Sequence, residues 1–327
     1  MPDLTSRARG CLFGLAAGDA LGGPTEGMAN GAIAARWGRV TDFLAEDQSG
    51  SDDTEYALFN ARLLLRHGRE LTAELIADGW RWEIIGARNT FHGAGISEMM
   101  AIKNLRMGLN PPKSGQHLHS WSDGLAMRVA PFGIVAAGRP AEAARLAELD
   151  GAVTHSGEGI YAGKAVAAAV AAAMGGAEVP DILAAAQQFI PAESWTSAAL
   201  GRASKIGGES PDVWSALPML YDACVTPAYF WSDLAPEAVG LALGVVVASR
   251  GEFRDAVLGG VNVGRDTDTI AAIAGAIVGA RQGEEAIPIG WRERVRLVKG
   301  RCLSVVGGTE INVTADRLAE LAERWSG

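Results

Sequence analysis

Two acidic clusters lie more than two hundred residues apart, Ser51-Asp52-Asp53-Thr54 and Asp266-Thr267-Asp268-Thr269. Each is followed at once by a helix-like run. Four carboxylates brought into one small site cannot all ionise unaided, because like charges a few ångströms apart raise one another's pKa. Two divalent cations would neutralise them. The donors are carboxylates and hydroxyls, an oxygen-only set that suits Mg²⁺ or Mn²⁺ and argues against zinc.

The same residues also fit ordinary helix starts. Asp52 can cap a helix while Glu55, three residues on, reaches back to it. Asp266 or Thr267 can cap the second helix, and acids in a first turn complement the helix dipole. A cap needs one acid, however, and each cluster has two with hydroxyls attached. Asp-x-Asp-x-Thr also occurs in phosphatases that form an aspartyl-phosphate. There it ends an early hydrophobic strand, whereas here it lies near the C-terminus before an Ala/Gly-rich helix.

The elements that must position these acids read as helices. Tyr56, Phe59 and Leu63, with Leu58 and Leu64, make one apolar face after the first cluster. Ala165 to Met174 reads as a buried helix. Val239 to Ala248 is another, although its valines leave a strand open. Ala271, Gly275 and Gly279 recur every fourth residue, a small-residue face that lets two helices approach closely. Clean period-two strands are hard to find, and the fold is expected to be all-α, in one domain over residues 1–327. Expected loops are Gly22 to Asn30, which carries Glu26, the long polar stretch Asn110 to Asp123, and Gly207 to Pro211. Long loops in compact domains often bind ligands.

Of the 327 residues, 48% are hydrophobic and 20% charged, enough for a sizeable core. The 42 glycines exceed the ~7% of typical usage and sit beside alanines in helical runs, which suggests close packing. The net charge of −9 and the absence of a basic stripe with interleaved aromatics exclude a nucleic-acid-binding surface of the usual kind. Cys11, Cys224 and Cys302 form no disulfide or zinc pattern, and a reducing cytoplasm is the natural compartment. Arg7 and Arg9 before the apolar run Cys11–Ala17 faintly mimic a signal peptide, but Asp19 interrupts the run. The Ala162–Met174 stretch is too short to span a bilayer.

With both clusters placed, the chain resembles the ADP-ribosylglycohydrolase family over most of its length. Gly10 to Gly14 and Gly18-Asp19-Ala20-Leu21-Gly22 resemble the family's opening motif. Ser51-Asp52-Asp53-Thr54 resembles its Thr-Asp-Asp-Thr metal motif, and Asp123-Gly124-Leu125-Ala126-Met127-Arg128 its Asn-Gly-Ala-Ala-Met-Arg loop. Thr154-His155-Ser156 resembles a Thr-His segment, and Gly264-Arg265-Asp266-Thr267-Asp268-Thr269-Ile270-Ala271 the C-terminal metal motif. Five motifs in order make the resemblance specific.

The resemblance implies a compact helical bundle with two Mg²⁺ or Mn²⁺ ions in a cleft. Ser51, Asp52 and Asp53 match one ligand group, and Asp266, Asp268 and Thr269 the other. Glu26 matches a catalytic glutamate, and Asp53 is counted as catalytic too. Asp123, Gly124, Arg128 and His155 match substrate-binding positions. Ser51 stands for the usual Thr and keeps a hydroxyl. Arg265 stands for a Gly and is expected to add a cation beside the metals. Asp123 stands for an Asn, and an acid there repels a diphosphate. His67 and His92 get no role, and His117 and His119 are as well explained as loop residues as by a pocket.

The implied reaction is hydrolysis of an N- or O-linked ribosyl group, through an oxocarbenium-like transition state. The base is Glu26 or a hydroxide held by the cations, and both stay open. The implied partner is an ADP-ribosylated protein or a small ribosyl substrate. A smaller nucleoside-like substrate is the alternative that Asp123 favours. A non-catalytic role, as in lens crystallins of the family, is opposed by the intact acids and Glu26.

Overall fold

The computed structural model describes residues 2–86 and 95–326; His92 lies outside them. The expected all-α fold is what is found. Among the described residues the strands are a two-residue pair, Met28–Ala29 antiparallel to Gly264–Arg265.

The first helix, Leu4–Gly22, is started by Asp3, whose carboxylate accepts from the Ser6 amide at 2.7 Å. Buried residues then run almost without break from Arg7 to Gly22. One face is a row of glycines, and it meets the small-residue face of helix Thr267–Gln282 in antiparallel register. A Cβ on Gly10 would lie 2.2 Å from the Gly279 carbonyl oxygen, on Gly14 2.1 Å from that of Gly275, and on Gly18 2.2 Å from that of Ala271. The two backbones touch, so nothing larger than hydrogen fits. This contact carries the last turn of the first helix onto Thr267 and Asp268, where a Cβ on Gly22 would meet the Asp268 Cα at 2.4 Å.

Arg7 anchors the far end of the pair. Its buried guanidinium donates to the carbonyls of Ala173, Ala280 and Arg281, the terminal acceptors of two helices. Around this pair, helix Phe253–Val263 lies on Thr267–Gln282, Trp195–Glu209 on Ala235–Ala248, and Pro140–Thr154 on Glu158–Met174. One continuous cluster of buried apolar side chains runs from Ala8 to Trp325.

One local expectation is met and one is revised. Ala235–Ala248 is helical despite its valines, because it is buried on almost every side and the β-branched penalty of a few tenths of a kcal/mol per residue is small beside burial. The Gly207–Pro211 loop begins later, since helix Trp195–Glu209 runs through Gly207. That glycine is there for packing: a Cβ would meet the Gly244 carbonyl oxygen at 2.6 Å.

Candidate metal centre

The first acidic cluster opens helix Asp52–His67, and the expected capping box is absent. Ser51 occupies the N-cap position without a side-chain cap bond. Glu55 turns elsewhere and accepts the backbone amides of Arg301, Cys302 and Leu303. Asp266 likewise precedes helix Thr267–Gln282 without capping it. The acids are therefore free of the capping roles that the plain helix-start reading assigns them, although Asp52, Asp53 and Asp268 do sit in first turns.

What orients the first cluster is Asp19, on the first helix and 1% exposed. Its carboxylate accepts from the Ser51 amide at 2.8 Å, the Ser51 hydroxyl at 2.7 Å, the Thr54 amide at 3.0 Å and the Thr54 hydroxyl. The Ser51 hydroxyl thus points at Asp19. The second cluster is fixed by Thr267, whose hydroxyl donates to the Gly22 carbonyl at 3.0 Å and receives the Thr25 hydroxyl at 2.9 Å. Thr25 pins the base of the Glu26 loop. The Gly27 amide, donating to the Arg265 carbonyl at 2.8 Å, closes it.

These ties gather two sets of carboxylates, Asp19 with Asp53 and Asp268, and Glu26 with Asp266 and Asp268, each set having oxygens within 4.8 Å of one another. Asp268 belongs to both. Glu26, outside both clusters in sequence, is drawn into one of these sets. Asp53 Oδ1 and Asp123 Oδ2 are buried and have no hydrogen-bond partner among the described residues. Burial pushes the whole group above the usual carboxylate range. Asp52 is raised to about 8 by desolvation and then by the charge of Asp19. Asp53, Asp123, Asp266 and Asp268 are also raised well above the usual carboxylate value, first by burial and then by neighbouring carboxylates. Orphaned buried oxygens and strained protonation are what a hard divalent cation relieves. The residues fit such a cation, and its chemistry would be oxygen-ligated.

Glu26, Asp53, Asp123, Asp266 and Asp268 face a cleft of about 470 Å³, lined also by Ser51, Asp52, Glu98, Ser122, Gly124, Thr269, Trp231, Asp233 and Cys302. The family model for ADP-ribosylglycohydrolases matches residues 1–327 of this chain. The chain belongs to the ADP-ribosylglycohydrolase family. A protein of Archaeoglobus fulgidus, described as uncharacterized, is 31% identical over 308 residues, 90% of this chain and 92% of that one. The Escherichia coli K12 protein YegU, also described as uncharacterized, is 29% identical over 306 residues, 86% of this chain and 90% of that one. A solved structure titled an ADP-ribosylglycohydrolase-related protein complex has the same fold, with a TM-score of 0.70 at 24% identity, over 98% of this chain and 100% of the other.

Within this member of the family, three expected residues sit elsewhere. Arg128 is fully buried beneath the cleft, not in it. Its guanidinium donates to Asp150 at 2.8 Å, Glu98 at 2.9 Å, the Gly124 carbonyl at 3.1 Å and the Thr154 hydroxyl at 2.6 Å. Every direction is taken by protein, so it holds Glu98 and the Gly124 turn in place. His155 is also buried, bonded to the Thr154 and Ser122 hydroxyls, and burial holds its pKa well below the usual histidine value. Arg265 adds no cation at the metal group, for its guanidinium turns away to Glu237 and to the carbonyls of Tyr229 and Trp231.

Asp123 is buried against Asp266. Its amide donates to the Asp233 carbonyl at 2.9 Å. His117 bonds the Thr154 carbonyl, and His119 bonds Asp233 at 2.9 Å. Sequence reasoning missed Asp19, Glu98, Trp231 and Asp233. For Asp19 a signal existed: a lone acid inside an apolar helix has to be satisfied or functional. Among the described residues, no helix is long and apolar enough to cross a membrane.

Proposed function

We propose that the protein is a divalent-cation-dependent hydrolase of N- or O-glycosidic bonds to ribose, removing ADP-ribose from a modified protein or small molecule, with residues 1–327 as one domain. The observation that supports it is the meeting of carboxylates from the two distant acid clusters with those of Asp19 and Glu26 in a family member. Asp19, Asp53 and Asp268 would hold one Mg²⁺ or Mn²⁺, and Glu26, Asp266 and Asp268 the other, with Ser51, Asp52 and Thr269 lining beside them. When bound, the cations supply positive charge that draws in the vicinal ribose hydroxyls. Three buried free cysteines suit a reducing compartment.

The chain's own groups do the rest. Glu26, a loop residue on the cleft wall, would act as general base for water through the carboxylate oxygen not given to a cation. Asp53 presents its unpartnered Oδ1 to orient that water. Positive charge growing on the sugar ring is stabilised by the surrounding carboxylates.

A second reading, a small riboside without phosphates, is favoured by Asp123 and Asp233 on the cleft wall, since acidic side chains there give a diphosphate no positive charge to pair with. One panel tests both: hydrolysis of ADP-ribosyl-arginine and of simple nucleosides with Mg²⁺ or Mn²⁺. Cation-dependent release of the leaving group from any of these supports the proposal. No turnover of any ribosyl compound with either cation would sink it.

A further inference from the structure

Arg265 has a backbone φ of +70°, in the left-handed region that side-chain-bearing residues rarely adopt. A glycine would hold this turn without that cost, so the side chain has to give something back. Its contacts show what. The half-buried guanidinium donates to Glu237 Oε1, to the Trp231 carbonyl at 2.7 Å and to the Tyr229 carbonyl at 3.2 Å. Glu237 is 1% exposed, and its other oxygen accepts the Thr226 amide at 2.9 Å. One buried ion pair thus grips both ends of the stretch from Thr226 to Trp231.

That stretch presents Trp231 to the cleft. The indole is 47% exposed and is braced edge-on by His119 at 5.2 Å and by Tyr229 at 5.7 Å between ring centres. Arg265 also acts through its main chain. Its carbonyl receives the Gly27 amide, and it pairs with Met28, which closes the Glu26 loop. One residue therefore ties two cleft-lining segments to the turn that precedes Asp266.

We propose that Arg265 is a positioning residue for substrate selection: its guanidinium locks the Thr226–Trp231 segment so that Trp231 stands as a fixed wall against the leaving group. The inference rests on reading the cleft as a riboside site. A fixed aromatic wall selects for planar leaving groups, because a preorganised ring meets them without ordering cost. A mobile Trp231 discriminates less. Lysine replaces the guanidinium only in part, since one ammonium does not span Glu237 and two carbonyls with fixed geometry.

The test uses the full chain labelled with 5-fluorotryptophan, with the Trp231 ¹⁹F resonance assigned by Trp231→Phe. In Arg265→Gly, whose backbone suits the turn, the Trp231 resonance shifts or broadens while the other tryptophan resonances stay. Mn²⁺ titration stays as in wild type. The ratio of kcat/KM for a riboside with an aromatic leaving group over one with a small aliphatic one falls by about tenfold, carried mainly by KM. Arg265→Lys recovers part of the ratio. An unmoved Trp231 resonance, or an unchanged ratio in an active enzyme, overturns the inference alone. If wild type hydrolyses no riboside, the reading of the cleft falls and the selection argument falls with it.

Discussion

Asp268 supplies an oxygen to both carboxylate sets, whereas Glu26 supplies one to a single set. The two residues should therefore fail differently. Asp268→Ala is expected to remove measurable Mn²⁺ binding at both positions and to abolish turnover. Glu26→Gln is expected to weaken one binding event, leave the other, and lower turnover about a hundredfold, the low end for a general acid–base group. Calorimetric titration with Mn²⁺ separates them. An Asp268→Ala isotherm identical to wild type would remove it from the ligand set. A residue acting only at a helix start would cost ~0.5–2 kcal/mol of stability and leave metal binding alone.

At the scale of elements, the decisive contact is between helices Leu4–Gly22 and Thr267–Gln282. They deliver Asp19 and the 266–269 cluster to the same place, and they meet through glycine backbones. Gly14→Ala puts a methyl 2.1 Å from a carbonyl oxygen that has no side chain to swing away. The helices must separate, at a cost of about 1–3 kcal/mol or more. Gly201→Ala is the control: it is helical, and a Cβ there meets nothing within 4 Å. That change should stabilise by up to about 1 kcal/mol through helix propensity. Thermal melts of both variants check the pair. Equal melting temperatures for Gly14→Ala and wild type would show that the interface has slack. Separation at Gly14 should also weaken Mn²⁺ binding, because Asp19 rides on the same helix one turn further on.

For the whole molecule, the buried acids make stability depend on pH and on cations together. A carboxylate whose folded pKa is raised holds more protons folded than unfolded. Its contribution is full below the unfolded pKa and is lost as pH rises through the folded one. For Asp52 that window runs from 3.8 to about 8, and Asp53 and Asp268 are raised in the same direction. The cation-free protein should therefore melt at lower temperature at about pH 8.5 than at about pH 6. Mn²⁺ competes with those protons, so it should raise the melting temperature more at the higher pH. Melts in EDTA and in Mn²⁺ at both values provide the measurement. A cation-free melting temperature that climbs across this interval would contradict the assigned burial of the acids.

Asp52, Asp53, Asp266 and Asp268 were legible in the sequence because each pair sits beside a hydroxyl at the head of a helical run, a pattern confined to a few residues. The all-α fold was legible for the same reason: apolar spacing and small-residue faces are local, and Gly275 and Gly279 announced a close helix contact. Which helix would fill that contact was not written locally. The Gly10, Gly14 and Gly18 row is its partner only because the two backbones meet in space, and that meeting turns Asp19 from an interruption of an apolar run into the acceptor that orients Ser51 and Thr54. Arg128 and His155 lie in recognisable motifs, yet their side chains point inward to Glu98, Asp150 and Ser122. Residue type and spacing set the helices and the chemical character of the site. The direction of each side chain is set by packing against distant segments, and tertiary structure alone decided which acids come within reach of one another and which charges stay behind the wall.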